Sequence, residues 1–410
     1  MIIFQSDILI YASCIFLTVI IPVLLLNSYL TEEDSYQAQK GDGGKIVSKL
    51  IKSNTTSISI LEKKITKFVE SYNTNCKYNN YISKHIYNWI FSDVTKYNEI
   101  NGNDNYNCHY KILLDASNTI YFQFKHKFIG GAYIRDLAST LIDTEQIPNN
   151  KFHPHSSFFN ITYLAKLLYN YRTIPKINVA EIEKCGIYAL SLPYMSYSKR
   201  VYKAPILLRL VNSPLEIRRY ISTYTIDRID NVNNTNKNTP SSRITIIFNA
   251  LKTLHKVLAI NRPIICYLPI AFNHVKGINN NIGIMLIDCR EDDTINTFNK
   301  RFEDNKYMVL ATNFLLVNNL HKLGGYNGSS VRNIVDVVLT STYYACDDND
   351  KESRLHWSYE NVGDYPIYLA ISSCIMKNKI VVAQTITSNA GEIKLPTEYE
   401  PVNYEYFIPK

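Results

Sequence analysis

Cysteine is sparse in this 410-residue sequence, and its eight cysteines include no CxxC pair. No cluster of cysteine and histidine has the spacing of a zinc site, which argues against a zinc-binding module. His153 and His155 lie beside a proline without a nearby Cys, Asp or Glu, so they form a poor ligand set and we expect no metal. The dispersed cysteines do not indicate a disulfide framework, although one bridge, such as Cys76 with Cys108, stays open.

Runs of basic residues are also missing, because lysine and arginine are scattered and the formal net charge is only +8. A nucleic-acid-binding protein usually gathers its cations into a patch, so we expect no nucleic-acid partner. Apolar residues make up 46% of the chain and charged ones 20%, which favours a globular protein over a disordered one. The abundance of Asn, Ile, Lys and Tyr is typical of an AT-rich genome, such as that of a parasite, a protist or a large DNA virus.

One long apolar run is present, "ILIYASCIFLTVIIPVLLLNSYL" at residues 8–30. At ~1.5 Å per residue, about 20 helical residues span a bilayer core of ~30 Å. The run has no basic start and no small-x-small cleavage site, so it does not look like a signal peptide. We predict an uncleaved anchor at residues 1–30 and a polar tether at 31–45, hence a single-pass membrane protein whose partner is the lipid bilayer. The flanks hold no Lys or Arg before Lys40, so the orientation is not indicated.

A strand, a tight loop and a helix are predicted around one histidine. The stretch "HYKILLDASNTIYFQFKH" has two apolar runs joined by small polar residues, which predicts a β-hairpin that ends at His126. After Gly130 and Gly131, apolar residues recur at the spacing of an amphipathic helix: Ile134, Leu137, Ala138, Leu141 and Ile142.

A polar segment at residues 230–242 divides the folded region into an N-terminal half at 46–229 and a C-terminal half at 243–410. Helical spacing is seen between Ile58 and Val69 and again at 157–171, followed by short strands. Beyond the break we predict a long helix, a strand in "RPIICYLPIAFN", another in "NNNIGIMLIDC", a polar helix and a closing hairpin. Loosely alternating helices and strands with frequent hairpins predict a mixed α/β fold.

The segment "KHKFIGGAYIRDLASTLI" resembles the HHxxxDG motif and following helix of the chloramphenicol-acetyltransferase-like superfamily of CoA-dependent acyltransferases. That superfamily includes condensation domains and wax ester synthase/diacylglycerol acyltransferases. The helix and strand from Ser242 to Asn273 resemble the start of the wax-synthase C-terminal region, "NNNIGIMLIDC" its "GN" loop, and "VVLTSTYYAC" its Ser-Asn strand. The resemblance covers residues 55 to 395. It implies two related halves, each with a mixed β-sheet and helices, and a tunnel between them.

The resemblance also implies a chemistry. In the superfamily the second motif histidine takes a proton from an acceptor, which then attacks an acyl thioester. By position His126 is that base, and the tunnel or oxyanion residues are Asn281, Thr340, Ser341 and Thr342. The implied activity is a membrane-anchored O-acyltransferase that uses acyl-CoA as a co-substrate, holds no bound cofactor, and acylates a lipid or alcohol hydroxyl.

Two polar residues of the motif are replaced in this chain. Lys125 stands for the first histidine and Gly130 for the aspartate, while the motif glycine is retained as Gly131. In the superfamily the aspartate holds the loop through an ion pair with a distant arginine. Its loss is therefore expected to disturb the orientation of the His126 side chain. The alternative is therefore a catalytically inactive acyltransferase-fold membrane protein, a scaffold that binds or assembles protein partners on a viral or organellar surface.

Overall fold

The computed structural model describes residues 45–52, 56–74, 88–99, 110–115, 118–125, 131–142, 217–228, 241–258, 263–271, 282–312, 335–345, 353–359, 366–389 and 391–409. The predicted membrane anchor, the predicted helix at 157–171 and the short strands after it lie outside these ranges. Within them, no helix is both long and apolar enough to cross a membrane.

The smaller sheet has five strands in the order β2-β3-β4-β1-β9. They are β1 (Lys45–Ile51), β2 (Asn88–Phe91), β3 (Tyr110–Leu114), β4 (Thr119–Lys125) and β9 (Arg354–Tyr359). The predicted hairpin is confirmed, since β3 and β4 pair in antiparallel fashion. Its turn contains Asn118 at φ 64°, a left-handed conformation that asparagine tolerates better than most residues.

The larger sheet has seven strands in the order β12-β5-β11-β10-β8-β6-β7. They are β5 (Arg218–Asp227), β6 (Ile264–Ala271), β7 (Ile282–Cys289), β8 (Val337–Ala345), β10 (Ile367–Ile375), β11 (Lys379–Ser388) and β12 (Glu400–Val402). Strand β8 runs parallel to both β10 and β6, whereas the other pairs are antiparallel. Both sheets are therefore mixed, because β2 is parallel to β3 in the smaller one, and the mixed α/β prediction is confirmed.

The two sheets exchange strands across the predicted break at residues 230–242. Strand β5 precedes the break but lies in the larger sheet, and β9 follows the break but completes the smaller sheet beside β1. Sheet membership therefore does not follow the predicted halves 46–229 and 243–410, because each contributes one strand to the sheet of the other. The sequence had indicated neither β5 nor β9.

In the described ranges, five α-helices pack on these sheets: α1 (Ile58–Thr74), α2 (Val94–Glu99), α3 (Gly131–Ile142), α4 (Ser242–Leu258) and α5 (Ile295–Thr312). The helices predicted after Gly131 and from Ser242 are confirmed. Helix α4 begins after Ser241, whose carbonyl accepts a hydrogen bond from the Thr245 amide and whose hydroxyl lies 3.4 Å from the Ile244 amide nitrogen. This is the N-cap role that serine often fills.

The apolar core forms two main clusters, and one of them joins the sheets. The first cluster lies between the smaller sheet, α1 and α3, and it includes Tyr344, Cys374 and Met376 of the region around the larger sheet. The second cluster lies between the larger sheet, α4 and α5. Because the first cluster draws side chains from both sheets, the two sheets share part of one core.

The described cysteines are all buried in these clusters. Cys266 and Cys289 are free thiols of the second cluster. Cys374 is disulfide-bonded, and its partner lies outside the described residues. A single bridge was compatible with the sequence, whereas its location in the shared core was not indicated.

We predict that Leu137→Ala in α3 lowers the free energy of unfolding by about 2–5 kcal/mol, because it opens a cavity in the first cluster. Leu137 is 1% exposed, and Ile60, which is 49% exposed in α1, provides a matched control. Ile60→Ala should change stability by less than about 0.5 kcal/mol. Urea unfolding followed by circular dichroism measures both, and equal losses would contradict the assignment of the shared core.

Candidate active site between the two sheets

The strand before the motif loop and the helix after it both form as predicted. Strand β4 ends at Lys125 and helix α3 begins at Gly131. His126 and Gly130 lie outside the described residues, as does Asn281, so the location of these predicted site residues stays a prediction. The side chain of Lys125 is also outside the description.

The strand that leads into the loop ends at the same end of the smaller sheet as Tyr359. Lys125 pairs with Lys45 at the start of β1, and Tyr359 pairs with the next residue, Ile46. Adjacent strands are ~4.8 Å apart, so β4 and β9, which flank β1, are separated by roughly 10 Å. The entry to the motif loop is therefore close to the carboxyl end of β9.

The three candidate hydroxyl residues of β8 do not share a face, because side chains alternate along a strand. Thr340 and Thr342 lie on the face of Tyr344, which belongs to the cluster shared with the smaller sheet. Ser341 lies on the opposite face with Leu339, which belongs to the cluster under α4. The structure thus brings Thr340 and Thr342 towards the junction of the sheets and places Ser341 away from it.

These two threonines differ in how firmly their hydroxyls are held. Thr340 hydrogen-bonds to the phenol of Tyr359. The Thr342 hydroxyl lies 3.3 Å from the Ser372 hydroxyl and 3.5 Å from the Ile371 carbonyl oxygen, both long for hydroxyl hydrogen bonds. Thr342 therefore has the more weakly engaged donor. We call Thr340, Thr342, Tyr359 and Ser372 the seam residues.

The larger sheet opens beside the seam residues. Strands β6 and β8 pair only at Cys266 with Val337 and at Tyr267 with Val338 in the described register. From Leu339 onwards the described neighbour of β8 within the sheet is β10. Helix α3, which follows the motif loop, packs against β8, and so it links the loop to the strand that carries the hydroxyls.

Tyr359 was not found by sequence reasoning, because its strand was not predicted. Its ring centroid lies 5.0 Å from that of Tyr368 and 5.8 Å from that of Trp357. Burial raises the pKa of the phenol, and the hydrogen bond from Thr340 only partly offsets this effect. The phenol therefore stays protonated at neutral pH. The alternating pattern of "RLHWSY" was the signal that could have revealed this strand.

A second histidine, His356, lies on β9 near this region but is not suited to proton transfer. It is 1% exposed, and its Nε2 lies 3.2 Å from the Thr223 hydroxyl of β5. Burial, reinforced by the charge of Arg354, lowers its pKa to about 3. A ring that stays neutral and lacks access to water serves packing between the sheets.

We predict that His356 makes folding stability depend on pH. Unfolded histidine binds a proton near pH 6.5, whereas the folded group does so only near 3. Its contribution is therefore complete above pH 6.5 and is lost as the pH falls from 6.5 towards 3, with a slope of at most about 1.4 kcal/mol per pH unit. Chemical unfolding at several pH values should show a shallower acid slope for His356→Gln, and an unchanged slope would contradict this assignment.

The described residues form a two-sheet α/β protein in which the helix that begins at Gly131 packs against the strand of the seam hydroxyls. Among solved structures, the chain is similar to condensation domains.

One such structure is the starter condensation domain of rhizomide synthetase RzmA, a variant in complex with C8-CoA and Leu-SNAC. It has 9% sequence identity to this chain, the match covers 88% of each chain, and the TM-score is 0.46. Another is the condensation domain from Monacolin K polyketide synthase MokA, with 10% identity, coverage of 87% of this chain and 90% of that one, and a TM-score of 0.46. No protein-family model and no curated protein matches the chain.

Proposed function

We propose that this protein transfers an acyl group from an acyl-CoA thioester to a hydroxyl acceptor, with His126 as the general base. One observation supports it most directly: the helix that follows the motif residues packs against β8, the strand that carries Thr340 and Thr342. His126 follows Lys125 at the end of β4, and α3, on the other side of the loop, packs against β8.

The reaction requires a base and an oxyanion donor. The neutral imidazole of His126 takes the proton of the acceptor hydroxyl, and the acceptor oxygen attacks the thioester carbonyl. The tetrahedral oxyanion then accepts a hydrogen bond from a seam hydroxyl. Collapse of this intermediate breaks the carbon–sulfur bond, and the departing CoA thiolate takes the proton from the imidazolium. The products are an ester and free CoA.

Of the seam hydroxyls, Thr342 is the better oxyanion donor. Its contacts to Ser372 and to the Ile371 carbonyl are long, so redirecting its proton to an oxyanion costs little. Thr340 instead bonds to the phenol of Tyr359, and we expect this bond to orient the phenol towards β8. Thr340 is therefore a positioning residue.

The acceptor in this proposal is a lipid or a long-chain alcohol. The apolar run at residues 8–30 is long enough to anchor the protein in a bilayer, where such acceptors dissolve. A hydroxyl carried by an apolar chain would then reach the motif loop without crossing bulk water.

We expect His126→Ala to abolish the release of free CoA from an acyl-CoA supplied with a long-chain alcohol, because no other group is proposed to take the acceptor proton. The matched control is Lys125→Gln, which changes the adjacent motif position but leaves the base. A thiol-reactive dye measures the release, and activity of His126→Ala equal to that of the wild type would refute the base assignment.

We further expect Thr342→Val, which removes one hydroxyl at nearly constant volume, to lower kcat by a factor of about 10²–10³, the usual cost of losing one oxyanion donor. Ser341→Ala is the control, since it removes the neighbouring hydroxyl from the opposite face of β8 and should leave kcat within about 3-fold. Steady-state kinetics distinguish the two variants. A greater loss of kcat in Ser341→Ala than in Thr342→Val would show that the oxyanion donor lies on the opposite face of β8.

A second function, a non-catalytic scaffold, is favoured by the packing beside the seam. The Tyr359 ring contacts the rings of both Trp357 and Tyr368 beside the seam residues, and Gly130 replaces the motif aspartate. In that case the wild-type protein would release no CoA above background with any acyl-CoA and alcohol pair. Its protein binding would then be unchanged by His126→Ala.

A further inference from the structure

Arg243 is a partly buried cation for which the described part of the chain provides no carboxylate partner. It lies in the first turn of α4, and its Nε is buried without a hydrogen-bond partner. Its guanidinium carbon lies 5.4 Å from the centroid of the Tyr343 ring. Within the described part of the chain, the ion pairs involve Arg135, Arg290 and Arg301, and none involves Arg243.

The surroundings of Arg243 disfavour its charge. Burial lowers the pKa of its guanidinium, and the nearby charge of Arg135 lowers it further, although Tyr343 opposes both effects. The carboxylate on α3, Asp136, is already bound to Arg135 at 2.8 Å. A cation in the first turn of a helix is also disfavoured by the helix dipole. One cation–π contact compensates only part of such a penalty.

The location of Arg243 suits a ligand of mixed polarity. Tyr343 lies on β8 and packs against the cluster under α4, while Arg135 extends from α3, the helix that follows the motif loop. The Arg135 side chain is 41% exposed, so this part of α3 reaches the protein surface. Apolar residues of α3 and α4 belong to the two core clusters on either side, so the surroundings of the guanidinium are largely apolar.

We propose that Arg243 recognises a carboxylate carried by an apolar ligand. A planar guanidinium binds a carboxylate through two parallel hydrogen bonds, and the Tyr343 ring limits its orientation. A single unpaired guanidinium matches one negative charge, whereas a phosphate dianion would leave excess charge in a poorly hydrated site. The inference concerns binding alone. Only the identification of the ligand as an acyl-transfer substrate rests on the proposed function.

The test is the affinity of the full chain for octanoate, octyl phosphate and octanol, measured by isothermal titration calorimetry. We expect octanoate to bind more tightly than octyl phosphate, and octanol not to bind measurably. Arg243→Gln should weaken octanoate binding at least 10-fold. Arg135→Gln, which removes a guanidinium that already has its carboxylate, should weaken it less than 3-fold.

Arg243→Lys provides a second variant, because it keeps the charge but cannot form two parallel hydrogen bonds. An affinity for octanoate at least 3-fold below that of the wild type supports the proposal, and this comparison with the wild type is sufficient if the glutamine variant fails to fold. Three results would overturn the proposal: no octanoate binding to the wild type, tighter binding of octyl phosphate, or equal affinity in the wild type and the Arg243 variants. None of these results depends on turnover. Failure of the carboxylate-binding proposal can therefore be distinguished from failure of the acyl-transfer proposal, which the CoA-release assay tests.

Discussion

The pairing of β9 with β1 is the interaction on which the rest of the molecule depends. It carries a C-terminal strand into the smaller sheet, with Tyr359 opposite Ile46, and it leaves the other edge of β9 against the larger sheet. There Arg219 donates to the Tyr359 carbonyl oxygen, and the hydroxyls of Ser358 and Thr387 lie 3.0 Å apart. The relative placement of the sheets, and hence of the motif loop and β8, follows from this one strand.

Apolar and polar contacts have different roles at this junction of the two sheets. The shared cluster around Leu137, Tyr344 and Trp357 removes apolar surface from water without imposing a particular register. The hydroxyl, imidazole and guanidinium contacts of β9 are directional, and a slip of one residue would leave buried donors and acceptors unpaired. We infer that burial supplies most of the stability, whereas these polar contacts select the one arrangement in which Thr340 meets Tyr359.

Hydrophobic periodicity was sufficient to predict the elements whose buried face can be recognised from neighbouring residues in the sequence. The apolar spacing after Gly131 predicted α3, and the two apolar runs around Asn118 predicted the hairpin. Strand β9 escaped prediction because its alternating pattern is short, and its place beside β1 depends on pairing with a strand far earlier in the chain. For the same reason the family resemblance predicted Thr340, Ser341 and Thr342 as site residues but did not predict Tyr359. Tyr359 lies beside the other seam residues only because β9 pairs with β1, far from it in the sequence.

The exchange of strands also determines when the protein can fold during synthesis. The smaller sheet has β1 to β4 once residue 125 has been made, but the partner of β1 on its other edge is not made until residues 354–359. Until then the β1 edge presents unpaired backbone groups to other chains. The nascent chain must therefore keep this edge from associating with its neighbours, and a product truncated before β9 would be prone to aggregate rather than form a stable N-terminal fragment.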